Sequence, residues 1–292
     1  MDINKIDIKK LIQDQYMKCV VDPIYFIRNF CHIQHPTKQR MLFDLFPYQE
    51  LCIKDFEAHQ VNIVLKGRQI GLSTAVSNYA LWLMLFHQDK NILVIAIEEK
   101  TAKNLITKVK FAYDNLPSWL KIPLIDDNKL SLSFTNGSKI RASTSSPNAG
   151  RSEGLSLLIL DEAAFIKNAQ DIWASAFPTL STGGKAVIIS TPNGLGNFFH
   201  QKWIQATDQD SDVSVSEELD DEYALKMNPI KLDWSVHPDR DATWRKKMGR
   251  IQGEQKARQE YDAEFIGSGN TVIDADLIEH YAKTFVQEPN WK

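Results

Sequence analysis

Cysteine and long apolar runs are both scarce in this sequence. Its three cysteines, Cys19, Cys31 and Cys52, are odd in number and form no Cys-x-x-Cys pair, which argues against a disulfide framework and predicts a reducing compartment. The most apolar run, residues 79–86, is far shorter than the ~18–20 residues that a bilayer-spanning helix needs. Residues 1–10 lack the apolar stretch of a signal peptide. We therefore expect a cytosolic protein without a membrane partner.

Positive and negative charges nearly balance over the chain, and one segment is strongly acidic. The 292-residue chain has a net charge of −3, but residues 208–223 (DQDSDVSVSEELDDEY) hold eight acids and no Lys or Arg, so that without them the charge is +5. Such a run is typical of a solvated, mobile loop and less often of an acidic binding patch. The 43% hydrophobic content is enough for one large core and predicts one α/β domain with a small appendage.

Apolar periodicity alternates between the pattern of buried strands and that of helices. The pattern predicts helices at 73–86 and 99–116, a hairpin around Asn136-Gly137, and strands at 61–65, 91–97, 155–160 and 185–190. Near-continuous apolar strands joined by helices indicate a mainly parallel sheet with helices on both faces. Ligands of such sheets bind beyond the carboxyl ends of the strands, so the polar residues after each strand are the candidates for a site.

The first polar cluster, residues 66–74 (KGRQIGLST), has the outline of a phosphate-binding loop between a strand and a helix. Such a loop needs a glycine turn, a helix N-terminus, a hydroxyl for Mg²⁺ and a lysine for the β- and γ-phosphates. Gly71 and Ser73 supply the glycine and the hydroxyl, but Leu72 stands where the lysine is usual. We hypothesise that Lys66, at the first position of the loop, replaces it. The alternative is that the loop cations bind no ligand and the site is inactive.

The second cluster is the pair Asp161-Glu162, directly after the apolar run at 155–160. Hydrolysis of a nucleotide needs one carboxylate near Mg²⁺ and a second that polarises the attacking water. Acidic pairs also occur at helix starts, where they only complement the helix dipole. The position of this pair after a buried strand, together with the loop at 66–74, predicts nucleotide hydrolysis.

Three motifs are more specific in combination than any one of them is alone: KGRQIGLST (66–74), LLILDEAAF (157–165) and IISTPNG (188–194). Together they resemble the ATPase motor domain of the large terminase subunits that package DNA into tailed bacteriophages. Residues 22–36 and 46–49 are similar to the segment that opens such domains, and residues 232–273 to the segment that closes them. The resemblance covers nearly the whole chain. It implies a P-loop NTPase fold of the RecA/ASCE type with small lid segments at both ends.

The resemblance implies ATP and Mg²⁺ as cofactors. It assigns catalysis to Glu162, adenine recognition to Gln49, and the metal to Ser73 and Asp161. The alternative for Gln49 is a buried amide at a helix start. The remaining residues implied to bind the nucleotide lie in the loop and are Lys66, Gly67, Arg68, Gln69, Ile70, Gly71, Leu72, Ser73 and Thr74.

Two arginines and a hydroxyl pair have further roles that the resemblance implies. Arg68 matches a loop arginine that stabilises charge on the transferring phosphate. Ser190 and Thr191 match a coupling motif whose hydroxyls sense the γ-phosphate, the alternative being a strand-end turn before Pro192. Arg151 lies in the loop before the Asp161 strand, where the resemblance implies an arginine presented to the nucleotide of a neighbouring subunit. The alternative for Arg151 is an exposed loop arginine.

The predicted domain organisation has three parts. Residues 1–55 form an N-terminal lid and adenine-binding segment, 56–207 the ATPase core, and 208–292 the acidic loop with a C-terminal helical lid or linker. Terminases normally continue into an RNase H-like nuclease. Only 25 residues follow Gly267, whereas an independent domain needs on the order of 100, so we expect no nuclease in this chain.

The partners implied by the resemblance are double-stranded DNA, the portal protein of the procapsid, a small terminase subunit and sibling subunits in a ring. The location implied is the host cell cytoplasm, with transient binding to the portal. DNA contacts should be electrostatic, with candidate cations in 99–110 and 240–258, though each segment is equally well a solvated helix face. Two other functions stay open: a helicase-like DNA-dependent ATPase, and a DNA- or capsid-docking module with an inactive loop.

Overall fold

The computed structural model describes residues 8–35, 37–143, 154–181, 183–208 and 226–267. Its helices are α1 (Ile8–Val21), α2 (Pro23–Phe30), α3 (Pro47–Ala58), α4 (Leu72–Phe86), α5 (Glu99–Asp114), α6 (Ala169–Ser181), α7 (Phe198–Thr207), α8 (Ala242–Gln252) and α9 (Glu254–Glu260). Its strands are β1 (His32–His35), β2 (Gln39–Leu42), β3 (Val61–Lys66), β4 (Asn91–Ala96), β5 (Leu124–Asp127), β6 (Ser131–Phe134), β7 (Lys139–Ser143), β8 (Leu157–Asp161), β9 (Lys185–Ser190) and β10 (Met227–Leu232).

An eight-stranded sheet forms the centre of the fold, in the order β10-β3-β9-β8-β4-β7-β6-β5. The strands from β10 to β7 pair in parallel. Strand β6 pairs antiparallel with β7, and β5 pairs antiparallel with β6. Strands β1 and β2 form a separate antiparallel pair. The predicted α/β fold with a mainly parallel sheet is confirmed.

Both faces of the sheet are buried, which explains the near-continuous apolar sequence of its central strands. Successive side chains of a strand point to opposite faces. In β3, Val64 packs in a core cluster with residues of α3, α4 and α5. Its neighbours Ile63 and Leu65 pack in a second cluster with residues of α6 and α7. Helices therefore cover the two faces as the sequence pattern predicts.

The predicted elements correspond to β3, α4, β4, α5, β8 and β9, with ends that coincide or differ by one or two residues. The predicted hairpin is the β6–β7 pair, and Gly137 in its turn has φ 83°, a conformation that glycine adopts without steric cost. Strands β5 and β10 are not predicted from the sequence. Nearly all of the acidic segment at 208–223, the loop that contains Arg151, and residues 268–292 lie outside the described residues.

The described part of the N-terminal segment shares the core of the sheet. Phe26 of α2 and Ile53 of α3 are buried in the same cluster as Val64. Cys19 and Cys52 also lie in this cluster, and both are free thiols. The division into three parts stays a prediction. Among the described residues, none of the helices has the length and apolar character needed to cross a membrane.

Candidate active site

Three strand ends meet at one edge of the sheet. Strands β3, β9 and β8 are direct neighbours and run in parallel, so their carboxyl ends lie side by side. The residues that end or follow them are Lys66, Asp161 with Glu162, and Ser190 with Thr191. The topology thus brings the three predicted motifs together.

The loop between β3 and α4 presents a row of unused backbone donors. Within the described part of the chain, the N–H groups from Gln69 to Ser73 donate to no acceptor. Gln69 and Gly71 have φ values of 57° and 73°, and positive φ at a non-glycine residue is a strain that concentrates at functional sites. Free N–H groups at a helix N-terminus attract anions. The loop therefore has the donors that phosphate binding requires.

Two glycines in this loop are fixed by close approach of other parts of the chain. A Cβ atom at Gly67 would lie 2.8 Å from the carbonyl oxygen of Tyr261, and one at Gly71 would lie 2.7 Å from Nε2 of Gln49. Both distances are below van der Waals contact, so neither position accepts a larger residue without movement of its neighbour. The glycines let α3 and the C-terminal segment pack directly on the loop.

Lys66 and Glu162 form an ion pair at the centre of the site. The Lys66 Nζ atom lies 2.7 Å from Oε1 of Glu162. Oε2 of Glu162 accepts hydrogen bonds from the Thr191 N–H at 3.1 Å and the Thr191 hydroxyl at 3.2 Å. Burial acts to raise the pKa of Glu162, but the charge and hydrogen bond of Lys66, together with Thr191, outweigh it and hold this pKa below its ordinary value. Glu162 is therefore ionised at neutral pH.

Asp161 lies behind this pair and is only 4% exposed. Its two carboxylate oxygens each accept a hydrogen bond from the Ser73 hydroxyl at 3.2 Å. Burial raises the pKa of Asp161, as does the charge of Glu162, and Lys66 and Lys108 act in the opposite direction. Among the described residues no cation lies within ion-pair distance of this carboxylate. A buried charge without a counter-ion is unfavourable.

These donors fit Mg²⁺. Magnesium in phosphoryl-transfer sites takes one or two protein oxygens and completes its shell with phosphate and water. Ser73 and Asp161 supply a hydroxyl and a carboxylate of that kind. The cation would be the counter-ion of the buried Asp161 carboxylate. The described residues contain no group of three or more His, Cys, Asp or Glu side chains that could hold a metal by themselves, as expected for an ion that binds together with a nucleotide.

A cavity of about 210 Å³ opens between the loop and Glu162. Its lining includes most of the predicted nucleotide-binding loop and one residue that no motif indicates, namely Lys108 of α5. The complete lining is Lys66, Gln69, Ile70, Gly71, Leu72, Ser73, Thr74, Lys108 and Glu162. The sequence placed Lys108 among candidate DNA-binding cations, because its distance from the loop along the chain hides its position in the fold.

Comparison with known proteins identifies the family. Residues 63–280, more than half of the chain, match the family described as "Terminase large subunit, T4likevirus-type, N-terminal". The chain belongs to this terminase family. The resemblance seen in the sequence is thereby confirmed.

Two curated terminases align with part of the chain. The terminase large subunit of Thermus virus P23-45 is 33% identical over 134 residues, covering 44% of this chain and 26% of that protein. The probable terminase large subunit of Escherichia phage Mu is 32% identical over 152 residues, covering 49% of this chain and 27% of that protein. The chain thus matches about a quarter of the length of these relatives.

Solved terminase structures share the fold. The large terminase ATPase domain of Thermus phage P74-26 is 25% identical with a TM-score of 0.55, covering 71% of this chain and 89% of that domain. The HK97 bacteriophage large terminase has a TM-score of 0.63 at 16% identity and covers 89% of this chain and 58% of that protein. At that identity, the HK97 likeness supports the fold alone.

In this terminase chain Gln49 has a structural use. Its side chain is 1% exposed; Oε1 accepts from the Phe46 N–H at 3.0 Å and Nε2 donates to the Ile70 carbonyl at 3.0 Å. The Tyr48 hydroxyl donates to the same carbonyl at 2.8 Å. This arrangement is that of the alternative, a buried amide at a helix start, and it ties α3 to the phosphate loop. The role of Gln49 in adenine recognition stays a prediction.

Arg68 does not line the cavity between the loop and Glu162. Its side chain is 58% exposed, and its Nε atom pairs with the buried carboxylate of Glu260. Its backbone N–H donates to the Glu260 carbonyl at 2.8 Å. The expectation that the Arg68 guanidinium faces the transferring phosphate is therefore not met by this arrangement, because the C-terminal segment holds the side chain outside the cavity. Its catalytic role stays a prediction.

The Ser190-Thr191 pair contacts Glu162 and the turn that follows it instead of lining the cavity. Ser190 Oγ accepts from the Ala164 N–H at 3.0 Å and donates to the Thr191 carbonyl at 2.8 Å. Asn193, which the sequence does not single out, donates to the Ala164 carbonyl at 3.1 Å. The motif thus holds the turn after Glu162 through several hydrogen bonds. Arg151 lies outside the described residues, and its role stays a prediction.

Proposed function

We propose that this chain is an ATP-hydrolysing motor domain of a phage terminase, which drives double-stranded DNA into a procapsid. The observation that carries the proposal is a convergence at one edge of the sheet. A loop with unused N–H donors, Ser73 and the ionised Glu162 line one cavity, and the Ser73 hydroxyl donates to the carboxylate of Asp161 behind it. Membership of the terminase family supports the same reaction.

ATP binding would use the loop donors and Lys66. Phosphate oxygens accept from the N–H groups of residues 69–73 at the start of α4, where the helix dipole also favours negative charge. A phosphate oxygen then competes for the Lys66 ammonium with Glu162, whose Oε1 lies 2.7 Å from Nζ. Transfer of Lys66 to the phosphate frees one oxygen of Glu162.

Catalysis would use that freed oxygen. Thr191 holds Oε2 of Glu162 through two hydrogen bonds, so Oε1 becomes the acceptor that orients the attacking water. The lowered pKa of Glu162 keeps it in the acceptor form at neutral pH. Mg²⁺ bound by Ser73 and Asp161 would supply charge stabilisation to the transferring phosphate. The cavity has no other carboxylate among its described lining residues.

Coupling to DNA movement would begin at Thr191. A change at Glu162 is transmitted by its two hydrogen bonds to Thr191, and the next residue, Pro192, accepts from Gln259 Nε2 of α9 at 2.8 Å. The chemical step is therefore two contacts away from the C-terminal helices. Residues at a strand end that hydrogen-bond both Glu162 and a neighbouring helix are placed to transmit a change at Glu162 to that helix, by switching between two arrangements.

The proposed partners follow from the packaging role. They are sequence-independent double-stranded DNA, the portal, a small terminase subunit and sibling subunits in a ring, in the host cell cytoplasm. Among the candidate DNA-binding cations, Lys246, Lys247 and Arg250 of α8 are exposed, whereas Lys103 and Lys110 of α5 pair with acids of their own chain. The exposed face of α8 is thus the better candidate for phosphate backbone contacts.

The first prediction tests the roles of the two acids. Glu162→Gln should keep affinity for ATP but lose at least ~10²-fold in kcat, because only the water-orienting carboxylate has gone. Asp161→Ala should instead weaken Mg²⁺-dependent nucleotide binding. Binding is measured by calorimetry with and without Mg²⁺, and turnover by phosphate release. Lys246→Met, on the exposed face of α8, is the matched control and should hydrolyse ATP normally without DNA.

Two results would contradict the proposed function. Normal hydrolysis by Glu162→Gln would reject the assignment of the catalytic acid. Absence of ATP turnover by the wild-type protein, both as monomer and assembled on a portal, would favour the docking-module alternative with an inactive loop.

A further inference from the structure

Helix α5 carries four lysines: Lys100 is exposed, and the other three differ in their surroundings. Lys103 pairs with Glu99 one turn earlier on the same helix, and Lys110 pairs with Asp127 of β5. Lys108 has no hydrogen bond and no carboxylate within ion-pair distance among the described residues. The helix therefore neutralises two of these cations within the chain and leaves the third without a partner.

The unpaired ammonium lies in the lining of the site cavity. Lys108 shares this cavity with Lys66, Glu162 and the phosphate loop. Burial lowers the pKa of Lys108, with Asp161 opposing and Lys66 reinforcing the shift. A desolvated cation without a counter-ion is unfavourable, so the free protein leaves an interaction unmade that an anion in the cavity would supply.

The chemistry of the cavity indicates which anion that is. A volume of about 210 Å³ is smaller than the roughly 300–1,000 Å³ typical of pockets that enclose a whole organic ligand. The cavity therefore fits the phosphate end of a nucleotide. Lys108 lies in the same cavity lining as Lys66 and Glu162, and its charge interacts with those of Asp161 and Lys66. The phosphate beside the water-orienting acid is the terminal one.

We propose that Lys108 is a second phosphate-binding lysine of this site, contributed by α5, whose ammonium contacts the terminal phosphate of bound ATP. It acts together with Lys66, which serves the loop side of the same phosphate. The inference rests on the proposed function for the identity of the nucleotide. It goes beyond that function because no motif of the family region contains Lys108.

The test compares a triphosphate with a diphosphate. Lys108→Met removes the charge at nearly constant length, Lys108→Arg keeps the charge, and Lys103→Met is the matched control on the same helix. Calorimetry with Mg²⁺ should show that Lys108→Met lowers affinity for ATPγS by roughly tenfold to a hundredfold, the usual effect of losing one charged hydrogen bond. Its affinity for ADP should stay within about threefold. Lys108→Arg should recover most of the loss, and Lys103→Met should bind both nucleotides like the wild type.

Retained ADP affinity and an unchanged melting temperature show that the Met variant is folded, and Lys108→Gln replaces it if it is not. Wild-type affinity of the neutral variant for ATPγS would overturn the inference, and so would an equal loss for ADP and ATPγS. The proposed function fails separately: a wild-type protein that binds ATPγS but never hydrolyses ATP rejects the motor and leaves the Lys108 comparison valid. A wild-type protein that binds neither nucleotide rejects both.

Discussion

Single residues at the ends of neighbouring strands set the charge of the site. Lys66 ends β3 and Glu162 follows β8, with only β9 between them in the sheet. Leu72, which occupies the usual lysine position, is 1% exposed and packs in the core below α4. The core thus uses position 72 for packing. We propose that the charge that a phosphate loop needs comes from Lys66, at the end of β3.

The second prediction follows from this division of roles. Lys66→Ala should abolish hydrolysis and weaken ATP binding by roughly tenfold or more, because the ammonium that neutralises the phosphates is lost. Leu72→Met, which keeps the buried volume, should bind ATP like the wild type. Leu72→Ala should also retain the phosphate contacts, but it should cost about 2–5 kcal/mol of stability through the cavity it creates.

Nucleotide affinity by calorimetry and the free energy of unfolding by denaturant separate these effects. The hypothesis that Lys66 replaces the usual lysine would be refuted by equal, mild losses of affinity in Lys66→Ala and Leu72→Met.

Residue spacing predicted the acids and the loop because each lies next to a buried strand. Asp161, Glu162 and Ser73 were placed correctly at one edge of the sheet for that reason. The partners of Arg68 and Gln49 were not predictable in the same way. Arg68 pairs with Glu260 from the far end of the chain, and Gln49 is satisfied by backbone groups. Contacts between residues that are far apart along the chain leave no periodic pattern in the sequence.

At the scale of elements, the C-terminal segment holds the phosphate loop in place. The guanidinium of Arg240 donates to the carbonyls of Arg68 and Gln69 at 3.0 and 2.8 Å, and it lies 4.6 Å from the ring centroid of Trp244 in α8. The N–H of Gly67 donates to the carbonyl of Leu232 in β10 at 2.7 Å. Because Arg240 binds the loop through its carbonyl groups, the N–H groups of residues 69–73 stay available for an anion.

The third prediction concerns this contact between the segment and the loop. Arg240→Ala should weaken ATPγS binding several-fold and cost about 1–3 kcal/mol of stability, because two charged hydrogen bonds and the contact with Trp244 are lost. Arg250→Ala, on the exposed side of α8, is the matched control and should change neither quantity. Both are followed by calorimetry and thermal unfolding. Wild-type nucleotide affinity in Arg240→Ala would show that the loop keeps its shape without the segment.

The two strands of the central sheet that sequence periodicity missed, β5 and β10, are both exposed in part. Strand β10 is buried only at its two ends and contains Pro229, and a proline within a run argues against a central strand. It lies at the edge of the sheet beside β3, where proline is tolerated. Strand β5 has two aspartates in four residues and lies at the other edge. The buried central strands were predictable because burial on both faces leaves a continuous apolar run.

At the scale of the whole molecule, the positive charges that line the site come from lysines and not from arginine, among the residues that the structure describes. Lys66 and Lys108 line the cavity, but no arginine does so among the described residues. Arg68 faces Glu260 instead. Phosphoryl-transfer sites commonly gain an arginine that stabilises charge on the transferring phosphate, and it is often supplied by another subunit. By the resemblance to terminases, Arg151, in the loop that precedes β8, is the residue implied to take that role in a ring.

The last prediction is that the isolated monomer hydrolyses ATP slowly and that assembly on a portal raises the rate, by as much as roughly 10³–10⁵ where an arginine acts in trans. Glu162→Gln subunits and Arg151→Ala subunits should each be inactive when assembled alone. A mixture should regain part of the activity, because an intact Glu162 site then receives an intact Arg151 from its neighbour. Glu162→Gln mixed with the double variant Glu162→Gln/Arg151→Ala has no intact site and should stay inactive. Should the first mixture also stay inactive while its subunits demonstrably co-assemble, Arg151 does not act in trans. Arg68, released from Glu260 within its own subunit, then becomes the better candidate.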